Sequence, residues 1–246
     1  MKRISSVSND HIKDLVKLQN KRYRDERGLF LVEGYHLVKE AHKFLYEVLI
    51  TDEKDAVNGV ENILVSREVI EKISTSKTPQ NIIGVCKCLN HRLLEKYNFK
   101  DKKILLLDGI QDPGNLGTLI RSSLGFGIDL ICASFDTVDI YNEKVIRATQ
   151  GAIFNIDYIK CDLIDVIKKI KKQSIKVIGT SLESSVGLKR LEKISAYALV
   201  LGNEGNGVKK EILKETNINV RIDMDERLES LNVAVAGSNI MFYLYN

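Results

Sequence analysis

Apolar positions in the first ninety residues alternate between helical and extended spacing. Helical spacing covers Asp10–Lys21, with Asn9 or Asp10 as a cap, and returns over Gly34–Leu45 and Arg67–Ser74. The short apolar runs between them predict strands at Leu29–Glu33, Val48–Thr51, Ile63–Ser66 and Ile82–Cys88. This alternation predicts a small α/β domain.

A second alternating series begins at Ile104–Asp108, a continuous apolar run typical of a central parallel strand. Further strands are predicted at Ile128–Ala133, Asn155–Tyr158, Lys176–Thr180, Tyr197–Leu201 and Val220–Ile222. Helices are predicted at Asn115–Leu124, Tyr141–Gln150, Leu163–Lys172, Val208–Lys214 and Ser230–Leu244. The series predicts a mostly parallel, doubly wound sheet. The charged segment His91–Lys103 is the predicted linker between domains at 1–98 and 103–246.

The composition of the chain argues against several classes of protein. No apolar run approaches the roughly 20 residues that span a bilayer, and the N-terminus lacks the apolar core of a signal peptide. We therefore expect a cytoplasmic protein with no membrane partner. The four cysteines have no CxxC spacing, which predicts reduced core thiols and no metal site. All four histidines precede residue 104, which excludes Ser-His-Asp chemistry in the second half.

The net charge of +4 is uneven, because residues 1–103 carry 20 Lys and Arg against 15 Asp and Glu. The basic excess is concentrated near the N-terminus, in a segment we call the basic arm: Lys13, Lys17, Lys21, Arg22, Arg24 and Arg27. Such an arm suits contact with a phosphate backbone. A solvated helix face explains the same pattern equally well.

Three polar loops follow or open strands of the second half: 108–117 (DGIQDPGNLG), 201–207 (LGNEGNG) and 222–236 (IDMDERLESLNVAVA). Loops at the carboxyl ends of parallel strands are where α/β proteins bind ligands. The glycine spacings match neither a dinucleotide fingerprint nor a Walker loop, which disfavours NAD and ATP.

Polar residues in these loops could instead have a purely structural role. Asn115 could cap the helix that follows it, Ser230 could cap the last helix, and Arg121 could be a surface residue. Glu204 is harder to assign to packing, because it lies between glycines directly after a strand.

In combination and order, the three loops resemble the signature motifs of the SpoU (TrmH-like) RNA 2′-O-methyltransferases of the SPOUT superfamily. The matching segments are DPGNLGTLIRSSLGFGID, LVLGNEGNGV and IDMDERLESLNVAVAGSNI. The stretch ERGLFLVEGYHLVKEA resembles the substrate-binding domain of the ribosomal-RNA branch. Ala234 stands where many relatives have Ser, a position that suits helix packing.

The resemblance implies a deep trefoil knot in the second domain, a small L30e-like α/β domain before it, and a homodimer whose active site draws on both subunits. It implies S-adenosylmethionine as methyl donor, with no metal. Residues that match the family's active site are Asn115, Arg121, Glu204, Ser230 and Asn232. Residues that match its cofactor contacts are Leu201, Gly202, Ile222 and Leu231, and Thr180 is expected to line the same pocket.

The expected activity is therefore methyl transfer to a ribose 2′-hydroxyl, with ribosomal RNA of the 23S type as substrate. An arginine is a poor base at neutral pH, so we expect Arg121 to orient phosphate and hydroxyl while the proton leaves through water or Glu204. Two alternatives stay open: a tRNA ribose or base methyltransferase of the same superfamily, and a non-catalytic RNA- or ribosome-binding protein.

Overall fold

The computed structural model describes residues 1–89, 94 and 97–245. The chain forms two compact units, of which the first comprises Met1–Asn90 with Asp139–Phe154 and the second His91–Val138 with Asn155–Asn246. The return of residues 139–154 to the first unit is a feature that no pattern in the sequence predicts. The predicted linker 91–103 lies partly outside the described residues, and the boundaries 1–98 and 103–246 stay a prediction.

The first unit is a five-stranded mixed sheet in the order β1-β4-β3-β5-β2. Its strands are β1 Lys2–Ile4, β2 Leu29–Glu33, β3 Leu45–Ile50, β4 Glu61–Val65 and β5 Ile82–Lys87. Its helices are α1 Asp10–Lys17, α2 Lys21–Arg27, α3 Tyr35–Glu40, α4 Arg67–Ile73 and α6 Glu143–Thr149. Strand β5 runs antiparallel to both β3 and β2, whereas β1, β4 and β3 are parallel. Apolar side chains of α1 and α4 pack together with strand residues of the sheet to form the core.

Helix ends in this unit differ from the predicted ones for local reasons. The predicted helix Asp10–Lys21 is two helices, because the Asn20 side chain accepts a hydrogen bond from the Arg22 backbone N–H and starts α2. The helix predicted over Gly34–Leu45 ends at Glu40, and Leu45 pairs with β5 instead. Asn9 caps α1, as expected.

The second unit is a seven-stranded sheet in the order β10-β12-β9-β11-β6-β7-β8, and every pair is parallel. Its strands are β6 Lys103–Asp108, β7 Leu130–Ala133, β8 Asp157–Lys160, β9 Lys176–Thr180, β10 Val186–Gly187, β11 Tyr197–Gly202 and β12 Ile218–Arg221. Its helices are α5 Pro113–Gly125, α7 Leu163–Lys172, α8 Lys210–Leu213 and α9 Val233–Tyr245.

Helices cover both faces of this sheet. Side chains of α7 and α8 pack on the face formed by residues such as Leu106 and Val200. Helices α5 and α9 lie on the opposite face, where a Cβ on Gly237 would come within 2.5 Å of Leu201 and 2.7 Å of Leu119. The predicted α/β class with a parallel sheet is confirmed, and the trefoil knot stays a prediction.

Candidate active site

The carboxylate of Glu204 joins the loops that follow β6 and β11. Its Oε2 accepts from the backbone N–H of Gln111 at 3.2 Å, and its Oε1 accepts from that of Asp112 at 3.2 Å. Asn115 Nδ2 donates a third bond to Oε1 at 3.0 Å. Partial burial raises the pKa of the Glu204 carboxyl, but these donors outweigh burial, so its pKa lies below the usual value. Glu204 is therefore an anion at neutral pH that orders the loop after β6.

Asn232 connects the third loop to the same cluster. Its Nδ2 donates to Asn115 Oδ1 at 2.9 Å, while its Oδ1 accepts from the backbone N–H groups of Ala234 and Val235 at 2.9 and 3.2 Å. The amide of Asn115 is thus held at both ends, by Glu204 and by Asn232. We call these three residues, Asn115, Glu204 and Asn232, the rim cluster. It brings together three loops that are far apart in the chain: Asn115 is 89 residues from Glu204 and 117 residues from Asn232.

The side chains of Asn115 and Ser230 do not cap helices α5 and α9, although the sequence allows both. Helix α5 begins at Pro113, because proline is favoured at the first helical position, and the Asp112 side chain accepts from the Asn115 backbone N–H at 2.8 Å. The Asn115 side chain is thereby free to bond Glu204. Asn232 caps α9, so Ser230 is not its cap.

Two further residues fix the Glu204 loop, and the sequence reasoning missed one of them. A Cβ on Gly202 would come within 2.1 Å of the Gly207 backbone, so only glycine lets the loop return this closely. Asn203 Nδ2 donates to the Gly109 carbonyl at 2.8 Å, and its Oδ1 accepts from two backbone N–H groups of its own loop. The position of Asn203 in a glycine-rich turn was the feature of the sequence that could have identified it.

A buried charge beside the rim cluster was also missed. Asp108, 1% exposed at the end of β6, accepts from the Lys209 backbone N–H at 2.8 Å and forms an ion pair with Lys209 Nζ at 3.1 Å. The same ammonium lies 3.0 Å from Asp136. Hydrogen bonds from Ser134 and then Lys209 lower the pKa of Asp136, and Asp136 followed by Asp108 raises the pKa of Lys209. This network ties the segment after β11, which carries Lys209, to the end of β6 and to the loop after β7.

Arg121 and Ser230 are not bonded to the rim cluster. Arg121 is exposed and, within the part of the chain that the structure describes, its guanidinium makes no hydrogen bond or ion pair. It follows Asn115 by six residues on α5, which places it about 240° further round the helix. Ser230 is exposed before α9. Both side chains are free to meet a ligand or a second chain.

The candidate cofactor residues lie at or after the carboxyl ends of three neighbouring strands. Thr180 ends β9, where its Oγ1 donates to the Val200 carbonyl at 2.9 Å. Leu201 and Gly202 end β11, and Ile222 follows β12. Leu231 is half-buried before α9. Because β12, β9 and β11 are adjacent and parallel, their ends share one edge of the sheet.

The basic arm is less available to RNA than its sequence indicates. Arg24 is the least available member, since this residue is 6% exposed and its guanidinium bonds the Leu18 and Gln19 carbonyls and pairs with Asp139 at 2.6 Å. Four other members are exposed but paired with carboxylates: Lys13 with Asp10, Lys17 and Arg27 with Asp14, and Lys21 with Asp25. Among the described residues, only the Arg22 side chain of the arm is without a partner.

Two negative findings apply to the described residues alone. They contain no group of three or more His, Cys, Asp or Glu side chains arranged to hold a metal ion. None of their helices is both long and apolar enough to cross a membrane.

The fold and the rim cluster define a class: an α/β protein whose candidate ligand site is formed by three polar loops at one edge of a parallel sheet. The model of the SpoU rRNA methylase family matches residues 102–243, and that of the MRM3-like substrate-binding domain matches residues 9–84. The chain belongs to the SpoU rRNA methylase family, which confirms the resemblance found in the sequence.

Similar proteins cover most or all of the chain. The 23S rRNA (guanosine(2553)-2′-O)-methyltransferase RlmP of Bacillus subtilis is 35% identical over 99% of both chains. The 23S rRNA (guanosine-2′-O-)-methyltransferase RlmB of Coxiella burnetii is 29% identical over 75% of this chain and 76% of its own. The AdoMet-bound rRNA methyltransferase of Sinorhizobium meliloti has a TM-score of 0.90 and 28% identity, covering 99% of this chain and 97% of its own.

Proposed function

We propose that this chain transfers a methyl group from S-adenosylmethionine to a ribose 2′-hydroxyl of 23S-type ribosomal RNA. Family membership and the names of the Bacillus and Coxiella relatives support this reaction, and both names specify a guanosine. The observation that carries the proposal is the rim cluster, in which Asn115 is held between Glu204 and Asn232. A ribosomal RNA substrate also agrees with a cytoplasmic location.

The strand-end residues suit the cofactor. The Sinorhizobium relative was solved with AdoMet bound. In this chain, Gly202 leaves room for the loop to fold back against β11, and a side chain there would collide with the Gly207 backbone. Thr180, Leu201, Gly202, Ile222 and Leu231 are the residues we expect to hold the cofactor. The Leu201 side chain is 1% exposed, so only its backbone is available, whereas the half-buried Ile222 offers apolar contact at the sheet edge.

When bound, the cofactor supplies a methyl group on a sulfonium, so the carbon–sulfur bond breaks as the ribose oxygen–carbon bond forms. The chain's own task is to position the hydroxyl and to let its proton leave. Arginine side chains are poor bases, so the role of the Arg121 guanidinium is to orient the phosphate and the developing alkoxide. Glu204 is a poor proton acceptor, because three donors already bond its oxygens and its pKa is lowered. We therefore assign the proton to water, with Asn232 and Ser230 next to the substrate.

We assign RNA recognition to the first unit, on the match of residues 9–84 to a substrate-binding domain. The proposed functional boundaries are 1–98 and 103–246. Within the basic arm, Arg22 is the residue best placed to contact a phosphate, since it is exposed and unpaired among the described residues. Lys13, Lys17, Lys21 and Arg27 would first have to exchange their carboxylate partners, which surface pairs do at little cost.

A homodimer is the proposed assembly. Helix α9 is apolar apart from Gly237, Ser238 and Asn239, and it exposes Val235, Phe242 and Tyr245 at 49%, 56% and 54%. Leu124 of α5 is 40% exposed, and the Phe126 ring lies 5.9 Å from that of Phe242. A group of large apolar side chains exposed together on one surface is normally covered by a partner. A second copy would cover this surface, and Arg121 on α5 would lie close to it.

Transfer of a labelled methyl group from S-adenosylmethionine to ribosomal RNA tests the proposed function directly. The RNA should come from cells that lack this protein, and alkali-resistant linkages should then be mapped. Label at one 2′-O position of 23S-type RNA is the expected result. Label on tRNA or on a base would support the other methyltransferase reading. Binding of RNA with neither label nor cofactor binding would support a non-catalytic binding protein.

A further inference from the structure

One aromatic side chain at the carboxyl edge of the second sheet is largely exposed. Phe135, two residues after β7, is 71% exposed and has no ring partner among the described residues. Isolated exposed apolar residues are common, so exposure alone says little. The loop that carries Phe135, however, is held firmly: Ser134 Oγ accepts from the Gly109 backbone N–H at 2.8 Å, and Lys160 Nζ donates to the Phe135 carbonyl at 3.3 Å.

This loop is joined to the rim cluster through one side chain. Gln111 Nε2 donates to the Asp136 carbonyl at 2.6 Å, and the Gln111 backbone N–H donates to Glu204. The Val138 backbone N–H also donates to the Ile110 carbonyl at 2.9 Å. Phe135 is thus fixed relative to Glu204 by a short series of hydrogen bonds. The loop that carries Phe135 is therefore adjacent to the loop that leads to Asn115.

A cleft of about 250 Å³ opens beside Phe135, with an apolar floor that includes Leu163 and Ile212. Its volume is below the roughly 300–1,000 Å³ of sites for small molecules, which suits one nucleobase better than a whole cofactor. Its walls carry the carboxylates of Asp108, Asp136, Asp162 and Glu211 against the single ammonium of Lys209. This excess of negative charge repels phosphate and leaves a base as the part of RNA that can enter.

We propose that Phe135 stacks on a base next to the methylated nucleotide and positions the substrate RNA in this cleft. The proposal rests on the proposed function, because it takes RNA as the ligand of the rim cluster. Proteins hold unpaired RNA bases by stacking them on aromatic side chains. Phe135 is a positioning residue in this role and takes no part in the proton or methyl transfer.

The test compares Phe135→Ala, Phe135→Leu and Phe135→Trp with the wild-type chain in methylation of ribosomal RNA. Stacking strengths predict that Ala raises KM for RNA about 5- to 150-fold. The value of kcat, the affinity for S-adenosylmethionine and Tm should change little, because the ring is exposed. Leu keeps apolar surface but cannot stack and should resemble Ala, whereas Trp should restore KM. An unchanged KM in Ala, or equal rescue by Leu and Trp, would overturn the proposal.

A second measurement separates this inference from the proposed function. Binding of the full chain to 23S ribosomal RNA fragments is measured for the same variants without cofactor. If the wild-type chain binds RNA but does not methylate it, the proposed function fails, and the stacking role is judged from affinity alone. Weaker binding in Ala and Leu with recovery in Trp supports the role, and equal binding in all four proteins refutes it.

Discussion

Replacing Glu204 by Gln keeps the shape of the side chain and removes its charge, which makes it a sharp test of the rim cluster. The carboxylate accepts three hydrogen bonds, two from backbone N–H groups and one from Asn115. An amide offers only one acceptor atom. If its NH₂ group takes the place of Oε2, it faces the Gln111 N–H and that bond is lost, while the other two become bonds between neutral groups.

The expected loss of unfolding free energy in Glu204→Gln follows from these three hydrogen bonds. Hydrogen bonds to a charged group contribute about 1.5–3 kcal/mol and neutral ones about 0.5–1.5 kcal/mol. Because Glu204 lies on an exposed rim, solvent reduces the difference, and we expect a loss of about 1–2 kcal/mol in unfolding free energy. For a chain of this size that lowers Tm by roughly 2–8 °C. Misplacement of Asn115 should reduce kcat by about 10- to 100-fold.

The pH dependence of stability gives an independent check that the charge of Glu204 stabilises the folded state. The pKa of Glu204 is lowered in the folded state, so its contribution to stability is present above the unfolded value of about 4.3. That contribution is lost as the pH falls through the folded pKa. The difference in Tm between wild type and Glu204→Gln should therefore be constant from about pH 5 upward and shrink below about pH 4.

The measurements are thermal unfolding across this pH range and single-turnover methylation of ribosomal RNA. Gln111→Ala serves as a matched control, because it keeps the backbone N–H that bonds Glu204 and removes only the side-chain bonds to the Gly109 and Asp136 carbonyls. A Glu204→Gln variant with wild-type Tm and wild-type kcat would refute the reasoning. So would a difference in Tm that grows on acidification.

The other predictions concern residues whose positions the structure defines. Arg121→Ala should lower kcat by at least about 100-fold. The affinity for S-adenosylmethionine, measured by calorimetry, and Tm should stay near wild type, since Arg121 is exposed and unbonded among the described residues. Retained turnover would refute its role. Arg22→Ala should weaken RNA binding and reduce the salt slope of the binding constant by about 1, which titrations at several salt concentrations measure. Arg24→Ala, in contrast, should cost about 3–5 kcal/mol of unfolding free energy, because it leaves Asp139 without its partner; a stable Arg24→Ala protein with weak RNA binding would reverse this assignment. Phe242→Glu should give a monomer in light scattering, and a dimer that survives this change would place the interface elsewhere.

Much of the fold is determined by local patterns in the sequence. Leu29–Glu33, Leu163–Lys172 and Lys176–Thr180 have the bounds that were predicted, because each has a clear period and polar residues at its ends. Strands β1 and β10 were missed, since they have three and two residues and are defined only by their neighbours at the sheet edges. Residues at loop positions could be marked as candidates from residue type and from the order of the three motifs.

Tertiary structure alone decided which candidates act together. Asn115, Glu204 and Asn232 meet because parallel strands end at one edge, a relation between positions far apart in the chain. It was also tertiary structure that buried Arg24 against Asp139, a partner 115 residues away. Local sequence encodes periodicity and caps, whereas the pairing of charges and amides depends on which strand ends become neighbours. For that reason the sequence alone determined most of the elements and the family motifs, and folding selected the side chains that form the site.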